Sequence, residues 1–529
     1  MRDIQLPGRS VVHSRHGAAA TSHPLSTLAA IDILRQGGNA VDAAVAAAAL
    51  QGVVEPMSTG IGGDCFALYW PAKQGKVIGI NGSGRAPAGL SADWLKANGQ
   101  DSIGLDSVHS VTIPGAVDAW SLLLRDHGKL GFADVMRPAI DAAANGFAVT
   151  PRISIDWSRG AARLAKNEVS ARTYLPGGRS PHAGEVHRQP ELAATLREIA
   201  ANGRDGFYTG RVAADMVAGL KALGGTHTME DFATQDAYYV EPISTRYRDV
   251  ELLEIPPNGH GIAALMMLNI LGGYDLGKLD PNGADRLHLE IEAQRLAFQA
   301  RNTFVADPNF ASVPVEYMLS AKWADEARAK IDLKRAMPPL PPMAGPLYRD
   351  TVYLTVVDAE RNVCSFINSL FFGFGSAITS PTTGVLFQNR GAGFRVTPGH
   401  PNNIEPRKRP LHTIIPGMAM KDGKPWLSFG VMGGHYQPLG HVHVLSNMVD
   451  YGMDVQEALD SARVFHAADK LEAERGVPEQ VRAALAAKGH AVAVPDMPWG
   501  GGQAIMLDYA NGTLAAGSDP RKDGCALGY

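Results

Sequence analysis

Residues 338–347, PPLPPMAGPL, contain five prolines in ten positions and separate two parts of the chain with different character. Proline fixes its backbone φ and has no amide hydrogen, so this stretch predicts an exposed loop or polyproline segment. The residues that follow at 352–357, VYLTVV, alternate in the manner of a strand. A well-formed strand is therefore predicted to start abruptly at Thr351, directly after Asp350.

The part before the proline-rich loop predicts a helix-rich α/β unit, and the part after it predicts mainly strands. Residues 23–56 predict two helices separated by Gly37-Gly38. Asn39 is placed to cap the second helix, and Asp42 lies in the first turn of that helix. The other predicted elements are a Gly-rich loop leading into a strand (58–70), a turn and amphipathic helix (203–225), a long helix (284–304), strands at 352–358, 362–368, 384–388, 426–431 and 503–508, and helices near 439–451 and 475–489. This order indicates an α/β or α+β protein with layered sheets.

Composition and charge exclude several classes of function. The net charge of −4 gives no general attraction to nucleic acid or to an anionic membrane. Three scattered cysteines without a CxxC motif argue against a disulfide framework and a zinc ribbon. The first residues lack the apolar segment of a signal peptide, so we expect a cytoplasmic protein.

The motifs for metals, nucleotides and serine nucleophiles are weak. His435, His441 and His443 are close in sequence, and an HxH on a strand can supply two metal ligands, but no nearby acid or cysteine completes a set. The Gly-rich stretches 58–66 and 82–89 match neither a P-loop nor a dinucleotide fingerprint, and 81–85 lacks the GxSxG pattern. We therefore expect no metal and no cofactor.

Thr351 is the remaining candidate nucleophile. A hydroxyl needs a base to remove its proton, and an α-amino group on the same residue, with a pKa of about 7.7–8.0, would serve near neutral pH. This chemistry requires that the chain be cut between Asp350 and Thr351, next to the proline-rich loop. The alternative is an ordinary threonine at the start of a strand, where β-branched residues are common.

A series of motifs in a fixed order identifies a family. The motifs are GGNAVDAAVAAA (37–48), GVVEPMSTGIGGD (52–64), GRAP (84–87), VTIPGAVDAW (111–120), FYTGRVA (207–213), IEAQRLAF (291–298), TVYLTVVDAERN (351–362), FGFGS (372–376), KRPLHTIIP (408–416), GVMGGH (430–435) and GSDPRKDGCALGY (517–529). In this order they resemble the γ-glutamyltransferase family of N-terminal-nucleophile hydrolases, over nearly the whole chain.

The resemblance implies an α+β fold, a four-layer αββα sandwich, and a proenzyme that cuts itself between Asp350 and Thr351. Residues 1–350 would become a large subunit and 351–529 a small one, intertwined in one composite domain. The heterodimer could pair further into a dimer of heterodimers. No nucleic acid or membrane partner is implied.

The resemblance also assigns roles to individual residues. Thr351 would be the nucleophile, Ser369 its supporting hydroxyl, and the N–H groups of Gly433 and Gly434 the oxyanion hole. Arg85, in GRAP, would bind the substrate carboxylate, a role that suits a guanidinium group.

The sequence departs from the family where a γ-glutamyl amino group would bind. In FQNRGAGF (387–394), Arg390 and Gly393 replace a polar amide and an acid; Phe371 replaces an Asn, and His412-Thr413 replaces a Ser-Ser pair that contacts substrate. A cation where an ammonium should bind is repulsive.

These departures favour a small anionic amide without an amino group. Together with the family resemblance, this pattern implies oxamate as our first expectation, hydrolysed to oxalate and ammonia in purine-nitrogen catabolism. The alternatives are a γ-glutamyl hydrolase or transferase acting on glutathione-like donors, a glutaryl-type acylase, and an uncleaved, non-catalytic binding homologue.

Overall fold

The computed structural model describes residue 5, residues 8–340 and residues 350–529. Of the predicted proline-rich loop, Pro338 and Pro339 are irregular and exposed, while 341–347 lies outside the described residues. In the described part of the chain no helix is long and apolar enough to span a bilayer.

The strands are numbered along the chain. They are β1 Val12–Ser14, β2 Ala18–Thr21, β3 Asp64–Trp70, β4 Ile78–Gly82, β5 Phe147–Ala148, β6 Val186–His187, β7 Tyr238–Val240, β8 Ile243–Tyr247, β9 Val250–Glu254, β10 Val352–Val357, β11 Val363–Ser369, β12 Gly417–Lys421, β13 Lys424–Met432, β14 Val464–Ala467, β15 Lys470–Ala473, β16 Val492–Ala493, β17 Gly501–Asp508, β18 Thr513–Ser518 and β19 Cys525–Gly528.

The helices are numbered in the same way. They are α1 Pro24–Arg35, α2 Ala40–Val54, α3 Ala92–Ala97, α4 Ala116–His127, α5 Phe132–Val135, α6 Arg137–Asn145, α7 Pro151–Leu164, α8 Glu168–Tyr174, α9 Pro190–Asn202, α10 Asp205–Tyr208, α11 Gly210–Ala222, α12 Met229–Ala233, α13 Gly261–Leu271, α14 Ala284–Phe304, α15 Val315–Met318, α16 Ala321–Arg328, α17 Gln437–Val449, α18 Val455–Asp460 and α19 Glu479–Ala487. Short 3₁₀ helices occur at Val108–Ser110, Pro176–Gly178, Leu276–Lys278, Arg390–Gly393 and Gly434–Tyr436.

Two seven-stranded sheets form the centre of the molecule. One has the order β19-β2-β10-β11-β3-β4-β7 and the other β1-β18-β17-β13-β12-β9-β8. Both sheets take strands from before and after the proline-rich loop, so the loop does not separate two domains. The strand that follows the loop, β10, is central: it pairs antiparallel with β2 on one side and with β11 on the other.

Three apolar clusters fill the spaces between four layers. Phe66, Tyr353 and Ile367 of the first sheet pack against Met418 and Ile505 of the second. The opposite face of the first sheet packs on helices that include α1, α2 and α4, and the opposite face of the second packs on α13, α14 and α17. This is the predicted αββα sandwich, in which each sheet buries both faces.

Most predicted elements are confirmed. Asn39 caps α2, with a capping box completed by Asp42, and the predicted helix at 284–304 is α14. The predicted strands at 352–358, 362–368, 426–431 and 503–508 correspond to β10, β11, β13 and β17, and the two C-terminal helices to α17 and α19.

The strand predicted at 384–388 is wrong. The segment is irregular, with a single bridge between Leu386 and Thr379. Val385, Leu386 and Phe387 are buried because this loop packs on the helical layer beside the first sheet. Their apolar character therefore reflects burial of a loop, which periodicity cannot distinguish from a short buried strand.

Candidate active site

Thr351 lies at the beginning of the central strand β10 and is completely buried. Its Oγ1 is 3.0 Å from the Oγ of Ser369, at the end of the adjacent strand β11, so the predicted pair of hydroxyls is brought together. Ser369 Oγ also accepts a hydrogen bond from the N–H of Phe371, at 2.9 Å. Because that N–H fixes Ser369, the hydroxyl of Thr351 has a defined partner.

The backbone of Thr351 is strained. Its φ is +149°, a conformation that residues with a side chain rarely adopt. Such residues cost about 1–3 kcal/mol each and occur where the surrounding structure holds them in place. The strain lies at the peptide between Asp350 and Thr351, which is the predicted self-cleavage site.

Asp64 is a buried carboxylate across the sheet from Ser369, and sequence reasoning missed it. It pairs with Ser369 in the register between β3 and β11. Its Oδ1 accepts hydrogen bonds from the N–H groups of Gly84 and Gly115 and from Nε2 of Gln388, at 2.8–3.1 Å. The sequence did contain a signal for Asp64, since an aspartate at the start of the apolar strand DCFALYW is expected to be buried. A buried carboxylate needs several hydrogen-bond partners, which marks the position as a candidate site residue.

His412, which is predicted with Thr413 to bind substrate, contacts Asp64. Its Nε2 is 2.9 Å from Oδ2 of Asp64, and both side chains are completely buried. Burial and the charge of Arg390 lower the pKa of His412 to about 4, so the imidazole is neutral at pH 7 and donates its Nε2–H to the carboxylate.

Arg390 is a fully buried cation beside this pair. Its Nη1 donates to Oγ1 of Thr413 at 2.6 Å, and its guanidinium lies 4.3 Å from the centre of the Phe371 ring. Phe371 has a φ of +81°, where the family asparagine would be less strained than a phenylalanine. We interpret the strain at Phe371 as the cost of placing its ring under Arg390, where a cation–π contact stabilises the charge.

Arg301 is a second buried cation, on the same side of the site as Arg390. Nη1 of Arg301 is 3.3 Å from Nδ1 of His260 and 3.2 Å from Nδ1 of His435. Burial and Arg301 hold the pKa of both imidazoles well below the usual range, so they accept the guanidinium N–H groups in the neutral form. Arg390 also lowers both pKa values, which places two cations and two neutral histidines on this side.

Gly433 and Gly434 follow β13 with φ values of +117° and +59°. Thr355 contacts Ser428 across the two sheets at 2.6 Å, and Tyr353 covers Gly430 so closely that a Cβ there would lie 2.4 Å from the ring. Positions earlier in β10 therefore face positions later in β13, and by the same offset Thr351 lies at the level of residues 432–434. The arrangement suits the predicted oxyanion hole, whose assignment stays a prediction.

Arg85 is already engaged by an acid. Its Nη2 is 2.7 Å from Oδ1 of Asp236, an oxygen that Arg409 also contacts at 2.8 Å. Within the described residues its hydrogen bonds and ion pairs do not reach Thr351, Ser369 or Arg390. Its predicted role in binding the substrate carboxylate stays a prediction, and such a substrate would compete with Asp236.

The three histidines at 435–443 do not converge on one point. His441 and His443 lie on helix α17, not on a strand as we considered, and they contact different carboxylates: His441 Nδ1 is 2.6 Å from Glu254, and His443 Nδ1 is 3.0 Å from Glu290. These hydrogen bonds to buried carboxylates explain the HxH motif structurally.

A different group of side chains has the spacing for a metal. His288, Glu292 and His490 place one ligand atom each within 4.8 Å of one another. However, His288 uses one ring nitrogen for His490 (2.8 Å) and the other for the carbonyl of Asp332 (2.8 Å), while Glu292 accepts from Arg295 and from the N–H of Met337. These hydrogen bonds satisfy the group without an ion.

Comparison with known proteins gives a consistent result. The family described as Gamma-glutamyltranspeptidase matches residues 26–529. The chain is 36% identical to the glutathione hydrolase-like YwrD proenzyme of Bacillus subtilis, covering 98% of this chain and 99% of that protein, and 33% identical to the oxamate amidohydrolase proenzyme of Klebsiella pneumoniae, again covering 98% and 99%. Among solved structures, cephalosporin acylase from Bacillus halodurans superposes with a TM-score of 0.94 at 40% identity, covering 99% of this chain and 98% of that one.

Proposed function

Because the chain belongs to the γ-glutamyltranspeptidase family, an N-terminal-nucleophile hydrolase family whose members are made as proenzymes, we propose that Thr351 cuts its own chain and then hydrolyses an amide with a carboxylate in its acyl part. The observation that carries the proposal is one connected set of contacts. The hydroxyl of the strained, buried Thr351 contacts the hydroxyl of Ser369. Ser369 Oγ accepts a hydrogen bond from the N–H of Phe371, and the Phe371 ring packs against the buried guanidinium of Arg390.

Self-cleavage would begin with Thr351 Oγ1 attacking the carbonyl carbon of Asp350. The C–N bond breaks, the amide nitrogen takes the hydroxyl proton, and an ester joins Asp350 to the threonine oxygen. Water then hydrolyses the ester, which leaves a carboxylate on Asp350 and a free α-amino group on Thr351. The backbone strain at Thr351 supports this sequence, because breaking the peptide bond relieves it.

The processed enzyme would use the same oxygen on the substrate. The α-amino group of Thr351 takes the Oγ1 proton, the oxygen attacks the amide carbon, and the N–H groups of Gly433 and Gly434 stabilise the oxyanion. The protonated amine then gives its proton to the leaving nitrogen, so an amine departs and an acyl-enzyme remains. A water molecule activated by the same base completes hydrolysis and restores Thr351.

Arg390 and Thr413 would bind the carboxylate of the acyl part. Arg390 donates to the hydroxyl of Thr413 at 2.6 Å, and the planar fork of a guanidinium group matches the two oxygens of a carboxylate. The neutral His412 adds no charge, and the histidines at 260 and 435 are neutral as well. A γ-glutamyl group would bring its ammonium toward Arg390, which is unfavourable in a buried site.

Oxamate is the smallest substrate that fits this description, and we propose it first. Its carboxylate is attached directly to a primary amide, and its hydrolysis gives oxalate and ammonia, a reaction of purine-nitrogen catabolism. A glutaryl-type acylase activity is the second candidate, because the structure superposes closely on a cephalosporin acylase and a glutaryl group also carries a carboxylate without an amine.

The proposal includes the assembly and location predicted from the sequence. Residues 1–350 and 351–529 would stay together as a heterodimer, since strands from both contribute to each sheet. Pairing of heterodimers and a cytoplasmic location stay predictions.

A kinetic panel on the processed protein tests the proposal. Oxamate, a glutaryl amide, glutathione and γ-glutamyl-anilide are compared by release of ammonia or amine, with Thr351→Ala as the inactive control. We expect turnover of oxamate or the glutaryl amide and much slower turnover of the γ-glutamyl compounds. Ready cleavage of γ-glutamyl-anilide without release of ammonia from oxamate would overturn the assignment.

A further inference from the structure

Lys522 is a buried lysine at one end of the two central sheets, and the proposed mechanism does not use it. It belongs to the tail, residues 517–529 (GSDPRKDGCALGY), in the turn between β18 and β19. Only 6% of the residue is exposed. Lysine is rarely buried so deeply unless a carboxylate pairs with it, so both its partner and its surroundings matter.

The stem of Lys522 lies close to the start of β10. A Cβ on Gly501 would be 2.7 Å from Cγ of Lys522 and 3.3 Å from its Cε. Gly501 pairs with Met432 between β17 and β13, and paired residues face the same side of a sheet. Met432 belongs to the apolar cluster between the two sheets. Since Thr351 lies at the level of residues 432–434, Lys522 is one strand away from the residues that face the nucleophile.

The ammonium group of Lys522 reaches the other side of the same region. Its Nζ is 3.4 Å from Oδ2 of Asp156 on α7, and Nε of Arg152 contacts that oxygen at 2.8 Å. Asp156 and Asp350 line the same cavity. Burial and Asp156 raise the pKa of Asp350 to about 6, whereas Lys522 and Arg152 act in the opposite direction. The ammonium therefore lies near the peptide that joins residues 350 and 351.

The neighbours of Lys522 in the tail are fixed on α7. The carboxylate of Asp523 accepts hydrogen bonds from the N–H groups of Arg152 and Ile153, at 2.9 and 3.1 Å, in the first turn of the helix. An acid is favourable at that end of a helix. The carbonyl of Arg521 accepts a hydrogen bond from Nη1 of Arg152 at 2.6 Å. Because the residues on both sides are held, the position of Lys522 is fixed as well.

Charged and titratable groups come to this region from several parts of the chain. They are Arg152, Asp156 and Arg163 on α7; Arg521, Lys522 and Asp523 in the tail; His23 after β2; Glu55 after α2; Asp350 before β10; and Arg390 beyond Phe371. Arg163 pairs with Asp106, and Arg521 pairs with Glu474. Asp523 is balanced by the N-terminus of α7. These groups therefore have their own partners.

Three charges remain beside the peptide. Burial raises the pKa of Glu55 to about 7 and lowers that of His23 to about 4, so the first is partly ionised at neutral pH and the second is neutral. Arg152 and Lys522 are two cations around the single carboxylate of Asp156, which gives this group a net charge of +1.

Self-cleavage creates an amine next to this positive group. An α-amino group has a pKa of about 7.7–8.0, so most of it is an ammonium at neutral pH and cannot accept the hydroxyl proton of Thr351. A cation nearby disfavours the ammonium form. After the cut, Asp350 is no longer bonded to Thr351, whereas Lys522 belongs to the same subunit as the new amine.

We propose that Lys522 is a positioning residue that keeps the α-amino group of Thr351 unprotonated by holding a positive charge beside it. The inference rests on the proposed function and extends it, because it explains how this amine serves as a base at neutral pH. Self-cleavage should not depend on this effect, since the amine does not exist before the cut.

The pH dependence of kcat/KM tests the inference, because its acid limb reports the pKa of the base in the free enzyme. The substrate is the amide that the native enzyme hydrolyses fastest. Lys522→Met removes the charge, Lys522→Arg keeps it, and Asp156→Asn removes the carboxylate that offsets it. Lys488→Met is the matched control, because Lys488 also pairs with an aspartate, Asp285 at 2.9 Å, but lies at the end of α19.

We expect Lys522→Met to move the acid limb to higher pH by about half to one unit, because loss of a cation favours the ammonium and Asp156 already offsets part of the charge. On the acid side kcat/KM should fall about three- to tenfold, and on the alkaline plateau it should hardly change. Asp156→Asn should move the limb to lower pH. Lys522→Arg and Lys488→Met should leave it in place.

Several results would overturn the inference. Lys522→Met could lower kcat/KM equally at every pH, which would indicate a structural role, or Lys488→Met could shift the limb as much. A folded Lys522→Met protein that fails to cut itself would also contradict it. If Lys522→Met does not fold, the direction of the shift in Asp156→Asn decides. These results leave the proposed function standing, whereas absence of any Thr351-dependent turnover in the native protein would refute both.

Discussion

Replacing Arg390 by glutamine should separate substrate recognition from nucleophilic chemistry. Arg390 is fully buried between Phe371 and Thr413, and it does not contact Thr351 directly in the set of bonds that the structure describes. The Arg390→Gln protein should still cut itself, because self-cleavage uses Asp350 as the acyl group and needs no external carboxylate. It should lose most of its activity on substrates with a carboxylate in the acyl part.

The size of the loss follows from the buried, charge-assisted contact. Hydrogen bonds to charged groups contribute about 1.5–3 kcal/mol. At about 1.4 kcal/mol for each factor of ten, the loss in kcat/KM is about 10- to 150-fold. Thr413→Val should cause a smaller loss in the same direction, because it removes the hydroxyl that holds Nη1 of Arg390 at 2.6 Å.

The assay compares glutaryl-anilide with pentanoyl-anilide, which have the same chain length and differ by the terminal carboxylate. Arg390→Gln should lower kcat/KM for the glutaryl compound and change that for the pentanoyl compound by less than about threefold. Self-cleavage, followed by denaturing electrophoresis, reports that the variant is folded. Equal losses on both compounds in a protein that has cut itself would refute a carboxylate-binding role for Arg390.

Two further predictions concern Ser369 and Glu55. Ser369→Ala should lower the rate of acylation about tenfold, because it removes the hydroxyl 3.0 Å from Thr351 Oγ1. Ser369→Thr keeps a hydroxyl and should restore most of the rate. An unchanged single-turnover rate in Ser369→Ala would contradict a role for this hydroxyl in supporting the nucleophile. Glu55 is buried, accepts a hydrogen bond from Ser22 at 2.7 Å, and burial raises its pKa to about 7. Because the folded protein disfavours ionised Glu55, its free energy of unfolding falls as pH rises from 4.5 through 7. Glu55→Gln in the Thr351→Ala background should therefore raise Tm by a few degrees at pH 8 and hardly at pH 5. Equal Tm shifts at both pH values would contradict this.

Local sequence signals predicted the secondary structure that surrounds Thr351. Alternation identified β10, and the pair Asn39 and Asp42 identified the start of α2 through capping chemistry. These predictions succeed because caps and alternation depend on residues a few positions apart. The same rules failed at 384–388, where apolar residues belong to a buried loop.

The contacts of the site could not be predicted from local patterns because their partners are far apart in sequence. Asp64 meets His412, and Arg85 is held by Asp236. His441, considered as a metal ligand, pairs with Glu254 on a neighbouring strand. Resemblance to the family predicted that residues 412 and 413 contact the substrate, and this stays a prediction. Only the fold shows that a buried aspartate determines the tautomer of His412.

The most direct test of Thr351 as nucleophile and self-cleavage residue is N-terminal sequencing and intact mass of the protein, native and with Thr351→Ala. The native chain should give two fragments, 1–350 and 351–529, the second beginning Thr-Val-Tyr-Leu, and Thr351→Ala should remain a single chain. A native protein that stays full length, or a Thr351→Ala protein cut at the same bond, would contradict the account.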